Sequence, residues 1–210
     1  MSNGLFITLE GVEGCGKTTQ ARLLAEYIQN SGRRVVLTRE PGGTAIGRRI
    51  REILLDPASK GIDSRTELLL YFADRAQHVA EVIEPALADG AVVICDRFAD
   101  ATTAYQGFGR GIDLELVADL NDVATNGLTP DITLLLDIPV AEGLRRARIR
   151  NGDGNQAREG RFEEEPDEFH EKVRQGYLTI ASCETERFKV IDASGTEEEV
   201  QTAIREKAAL

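Results

Sequence analysis

Gly11-Val12-Glu13-Gly14-Cys15-Gly16-Lys17-Thr18 fits the spacing G-x-x-x-x-G-K-[ST] at every fixed position. Glycines at these places let backbone N–H groups converge on phosphate oxygens, and a helix beginning at Lys17 adds a favourable field for an anion. Lys17 has the reach for the β- and γ-phosphates of a nucleotide, and the Thr18 hydroxyl suits Mg²⁺. Thr19 continues the same helical turn, so residues 11–19 are the candidate ATP-binding stretch. Cys15 reads as a small side chain chosen for packing. Glu13 is out of place, because phosphate repels a carboxylate. It either points into solvent or accepts a hydroxyl of a second substrate. Further on, the apolar run Val92-Val93-Ile94-Cys95 ends in Asp96-Arg97. An acid at a strand end suits Mg²⁺, although Leu134-Leu135-Leu136-Asp137 has the same form. Arg97 separates the two, since a guanidinium grips a phosphate through two parallel hydrogen bonds. A donor-phosphate loop with a second phosphate clamp is the equipment for phosphoryl transfer to an acceptor that is already phosphorylated.

These residues need elements to hold them. Leu5–Leu9, Val35–Thr38, Val92–Cys95, Ile132–Leu136 and Val190-Ile191 read as five strands. They are continuous apolar runs, as in a parallel sheet buried on both faces. Helices are expected over Lys17–Asn30, Ile46–Leu55 and from Ser64 to about Ile83. Further helices run over 113–124 and 140–150, from Pro166 toward Glu184, and after Thr196. Ser64 and Glu67 fit a capping box, and Pro85 marks a kink. The alternation predicts a single three-layer α/β domain over 1–210, with a five-stranded parallel sheet flanked by helices and its ligands beyond the carboxyl ends of the strands.

The 210 residues carry 25 Lys and Arg against 36 Asp and Glu, a net charge of −11. That argues against coating a nucleic-acid polymer or an anionic membrane. No apolar stretch is long enough to span a bilayer, and the N-terminus has no basic leader region. Three cysteines without metal spacing and two histidines make a zinc site a poor fit. A reduced, cytoplasmic compartment is expected.

Asp96-Arg97-Phe98-Ala99-Asp100-Ala101-Thr102-Thr103-Ala104-Tyr105-Gln106, together with residues 11–18 and Thr38-Arg39-Glu40-Pro41-Gly42-Gly43-Thr44, resembles the thymidylate kinases over about residues 5–192. Ala101 departs from the family's usual serine. The resemblance implies the P-loop NTPase fold, ATP and dTMP as substrates with Mg²⁺, and a homodimer. It also implies an aromatic ring stacked on thymine and an arginine donating to its O4. Tyr71 and Arg75, four apart, match that pair. Phe72 is one residue away. An apolar stripe of Leu69, Phe72, Ala76, Val79 and Ile83 favours Phe72 as core. By the same resemblance Tyr105 packs beneath the sugar, Thr102 and Gln106 lie near the base, Glu13 meets the 3′-hydroxyl and Pro41 lines the pocket. An arginine donor suits a keto oxygen and opposes the amino group of cytosine.

Residues 145–161 hold six arginines and two acids, +4 in a chain whose remainder is −15. Solvated salt bridges account for most of them. Glycines around the stretch fit a moving lid over about 145–162. The loop positions 12–15 are not basic, so the resemblance assigns the transition-state charge to the lid. Arg161, in Gly160-Arg161-Phe162-Glu163, is the first candidate, with Arg158 and Arg150 behind it. A guanine-reading N-K-x-D motif, which a GTPase switch would need, is absent.

Overall fold

The computed structural model describes residues 4–152 and 161–209, without the side chains of 150–152. Strands β1 (Leu5–Glu10), β2 (Val35–Arg39), β3 (Val92–Asp96), β4 (Ile132–Asp137) and β5 (Phe188–Asp192) form one parallel sheet in the order β2-β3-β1-β4-β5. The expected sheet is there, each strand a residue or more longer than its apolar run. Both faces are apolar, which is why the strands do not alternate. Val92 and Ile94 join the core formed with Leu24, Ile28 and Tyr177. Val93 and Cys95 join the opposite one, with Phe6, Val79, Ile83 and Phe98. Register sets Leu9 beside Asp96 and Arg39 beside Asp96, so three strands end level.

The helices are α1 (Lys17–Asn30), α2 (Ala45–Leu55), α3 (Ser64–His78), α4 (Glu84–Ala88), α5 (Ala99–Thr102), α6 (Leu114–Thr125), α7 (Val140–Gly152), α8 (Asp167–Cys183) and α9 (Glu197–Ala208). A π-helical turn, Val79–Ile83, joins α3 to α4, where Pro85 sits in the first turn. Thr44, Asp113 and Thr196 cap α2, α6 and α9, the last with a capping box through Glu199.

Two expectations fail locally. Asp63, not Ser64, caps α3, accepting from the Arg65 amide, while Glu67 turns into the interior. The apolar stripe is buried only in part: Phe72, Val79 and Ile83 are core, but Leu69 is 56% exposed and Ala76 faces solvent, while Leu68, Asp74, Arg75 and His78 take the rest of the buried face. The stretch after Arg97, to which the sequence reading assigns no element, is helical: α5 runs into a π-helix over Thr103–Gly109.

Gly14 and Gly143 bring the glycine-rich loop against the start of α7. A Cβ on Gly14, at φ +70°, would overlap the Gly143 carbonyl oxygen. The loop's shape is therefore set by tertiary contact as well as by its own sequence.

Candidate active site

A cavity of about 390 Å³ opens beyond the level strand ends. Lys17, Thr18 and Thr19 line one end and Tyr71, Arg75 and Gln106 the other, with Arg97 and Glu13 also in its wall. Gly14, Gly16, Pro41, Asp96, Ala101, Thr102 and Tyr105 line it too. Gly11, Val12 and Cys15 do not; Val12 and Cys15 are core residues, as packing predicts for Cys15.

At the loop end, Lys17 Nζ donates to the carbonyls of Gly11 (3.0 Å) and Val12 (2.8 Å). Thr18 Oγ1 donates to Asp96 Oδ2 at 2.5 Å. The rival acid is otherwise engaged: Arg174 grips Asp137 bidentately at 2.7 and 2.9 Å. The pairing of Thr18 with a strand-end carboxylate fits Mg²⁺, which is usually held by one or two protein oxygens, water and substrate phosphates.

Arg97 has φ 71°, a left-handed backbone that costs a non-glycine residue about 1–2 kcal/mol. Its amide donates to Leu9 O (3.0 Å), and its side chain lies against the loop. Nη1 donates to Gly11 O (3.0 Å) and Tyr177 Oη (3.1 Å), and Nη2 to Glu13 Oε1 (3.2 Å) and Tyr105 Oη (3.0 Å). Glu13 thus turns toward a cation rather than into the phosphate cradle. Tyr105 Oη donates to it at 2.5 Å, and His170 Nδ1 lies 3.3 Å from Oε2. Burial pushes the Glu13 carboxyl up, but His170, Arg97 and Lys17 outweigh it and hold the group down at about 2. Behind Arg97, Glu10 accepts from the Phe98 amide and from Tyr177 Oη, both at 2.7 Å. Burial, then the charge of Asp100, raises the Glu10 carboxyl to about 7. Sequence reasoning missed Glu10, His170 and Tyr177. Glu10 did carry a signal, since it ends an apolar strand as Asp96 does.

At the far end Arg75 is 1% exposed. Its Nε donates to Glu40 Oε2, Nη1 to Asn121 Oδ1, and Nη2 to Phe98 O and Thr102 Oγ1, all at 2.9 Å. A guanidinium has five N–H groups, so these described partners leave one on Nη1. His78 bridges Glu40 Oε1 (2.9 Å) and Thr38 Oγ1 (2.7 Å). Asp74 accepts from the Gly42 amide at 3.0 Å; burial and then Glu40 raise its carboxyl to about 6. Tyr71 lines the cavity, and burial keeps its phenol neutral by raising its pKa. Phe72 does not reach the cavity. It packs with Leu68, Val117 and Ala124 in the core between α3 and α6, which corrects its place among the ligand candidates.

Arg161 is likewise not brought to the cavity. It is 4% exposed, with Nε donating to Leu54 O (2.5 Å) and Nη2 2.7 Å from Glu67 Oε2. Its guanidinium also covers the Phe162 ring. A buried carboxylate has captured the charge expected near the phosphates. Arg145 and Arg146 both pair with Glu142, the solvated salt bridges expected of the basic stretch. The side chains of Arg150 and Arg158 lie outside the described residues.

Comparison with known proteins agrees with this geometry. The family model described as thymidylate kinase matches residues 9–204. A thymidylate kinase of Desulfovibrio desulfuricans is 56% identical over 197 residues, 93% of this chain and 91% of its own. That of Geobacter sulfurreducens is 55% identical over 201 residues, 96% and 94% of the two chains. The crystal structure of thymidylate kinase from Ehrlichia chaffeensis superposes with a TM-score of 0.78 at 36% identity, covering 97% of this chain and 98% of that one. With the glycine-rich loop, the strand-end Asp96-Arg97 pair and near full-length similarity in agreement, the chain belongs to the thymidylate kinase family.

Proposed function

We propose that the chain transfers the γ-phosphate of ATP to dTMP, giving ADP and dTDP on the way to dTTP. The observation that carries this reading is one continuous cavity with Lys17 and Thr18 at one end, Arg75 and Gln106 at the other, and Arg97 in its wall. ATP is held by the loop N–H groups, with Lys17 on its β- and γ-phosphates. Thr18 and Asp96 would hold Mg²⁺, which would supply neutralisation of phosphate charge. Arg97 grips the dTMP phosphate and aligns one of its oxygens with the γ-phosphorus. That oxygen is already anionic, so alignment and charge neutralisation do the work without a strong general base. Tyr71 stacks on the base and Arg75 donates its remaining N–H to O4. Thr102 and Gln106 border the ring, and Pro41 closes the wall. Tyr105 lies under the sugar, and Glu13, kept ionised, accepts from the 3′-hydroxyl. With dTMP, dUMP, dCMP and dGMP offered in parallel with ATP, dTMP is expected to give the highest kcat/KM. A preference for any other acceptor overturns the assignment.

We further infer a homodimer in the cytoplasm. Leu69, Leu116 and Val123, on the mutually packed α3 and α6, are 56%, 45% and 81% exposed, an apolar surface that self-association would cover. Among the described residues no helix is long and apolar enough to cross a membrane. Light scattering is expected to give twice the 23.0 kDa chain mass, and a monomer at micromolar concentration refutes the dimer.

A further inference from the structure

Gln106 borders the acceptor end of the cavity, yet its side-chain amide is not free to turn. Its Nε2 donates to Glu67 Oε1 at 2.8 Å. Glu67 is 1% exposed and fixed from two more directions. Arg110 approaches Oε1 through Nε and Oε2 through Nη2, both at 3.3 Å, and Arg161 Nη2 lies 2.7 Å from Oε2. Arg110 is itself tied to Glu165 at 2.6 Å and covers the Phe169 ring. Burial raises the Glu67 carboxyl, but the hydrogen bonds from Arg110 and Gln106 and the charges of Arg110 and Arg161 bring it below its ordinary value. At neutral pH Glu67 is therefore an acceptor only.

An amide is nearly symmetric in shape, and only its neighbours decide which end faces where. An acceptor-only carboxylate demands the NH₂ end. We propose that Glu67 is a positioning residue for base selection: by holding the Gln106 amide nitrogen, it turns the carbonyl Oε1 to the ligand as an acceptor for the pyrimidine N3–H. The inference rests on the thymine-binding reading above and names a part of that reading that touches no substrate. Gln106 lies one helical turn from Thr102, whose hydroxyl accepts from Arg75. The wall thus offers a donor from Arg75 and an acceptor from Gln106 side by side. Thymine and uracil present the complement, O4 as acceptor and N3–H as donor. Cytosine presents the reverse at both places, N4–H₂ and a bare N3, so it meets two mismatches instead of one. Arg161, at the foot of the basic stretch, acts in this arrangement by orienting Glu67.

The test varies ligand and residue together. Steady-state kcat/KM is measured for dTMP, for dUMP (which keeps both N3–H and O4) and for dCMP. The wild type, Glu67→Gln and Glu67→Asp are compared. In the wild type, dCMP, which meets a reversed contact at N3 as well as at position 4, is expected to fall about tenfold or more below dTMP in kcat/KM. A glutamine at 67 can accept or donate, so the Gln106 amide is freed to turn. Glu67→Gln is then expected to shrink the dTMP preference over dCMP by about tenfold while leaving the dTMP/dUMP ratio unchanged. The effect should fall on KM more than on kcat, because the phosphates are remote. Glu67→Asp, still acceptor-only, should restore part of the preference. A general loss of structure would lower all three substrates together and leave their ratios unchanged. Equal use of dTMP and dCMP by the wild type overturns the inference without any variant. Unchanged ratios in a folded Glu67→Gln also overturn it. Failure to phosphorylate dTMP at all overturns the parent reading instead.

Discussion

Arg97→Ala is expected to lower kcat/KM for dTMP by about 10³-fold while leaving the KM for ATP nearly unchanged. The size follows from what a single arginine contributes when it meets phosphate charge in a transition state, roughly 10³–10⁵ in rate. Arg97 also holds two groups of the same wall, Glu13 Oε1 at 3.2 Å and Tyr105 Oη at 3.0 Å, so its removal loosens the sugar seat as well. Alanine at φ 71° carries about the same backbone penalty as arginine, so the loss is not one of local folding. Arg97→Lys separates charge from geometry. A point charge without the fork should recover only part of the rate. Steady-state kinetics with each substrate varied in turn checks this. A kcat/KM for dTMP within a few-fold of wild type in Arg97→Ala would remove the acceptor clamp from the mechanism.

The second large effect is on stability. Arg75→Leu strands Glu40, which is 4% exposed and loses its guanidinium partner at 2.9 Å. It also leaves Asn121, Phe98 O and Thr102 without their donor. Breaking a buried pair from one side costs about 3–5 kcal/mol, because an uncompensated charge stays behind. For a chain of this size that is roughly a 6–20 °C fall in Tm. Adding Glu40→Gln should recover part of the loss, since the stranded charge goes with it. Thermal unfolding of the single and double variants reads this directly. A Tm within 2 °C of wild type in Arg75→Leu would show that the pair carries little of the fold.

The sheet was legible because its strands are buried on both faces and so appear as unbroken apolar runs. The loop from Gly11 to Thr18 was legible because backbone geometry leaves little choice of residue there. The stretch 99–109 was not, since it buries Asp100, Thr102 and Gln106 along with Ala104 and Tyr105, a mixed set with no apolar period. The same cause misled the reading of α3. Its interior face holds Glu67, Asp74, Arg75 and His78, made tolerable by Gln106, Arg110, Gly42 and Glu40, all distant in sequence. Local rules then assigned Glu67 to a cap and Leu69 to the core. Arg161 was misread in a related way. Charge density in a basic stretch says nothing of which carboxylate lies within reach, and Glu67 is more than ninety positions away.

The strand order has a consequence for how the chain is made. β1 lies between β3 and β4, so it has no neighbour on either side until residues 92–96 and then 132–137 have emerged. The phosphate loop that follows it is braced by Gly143, later still. Such long-range pairing is slow to form. During synthesis β1 and the nucleotide loop therefore wait with an open edge and without their brace until those later segments arrive, an interval in which apolar surface is exposed to aggregation.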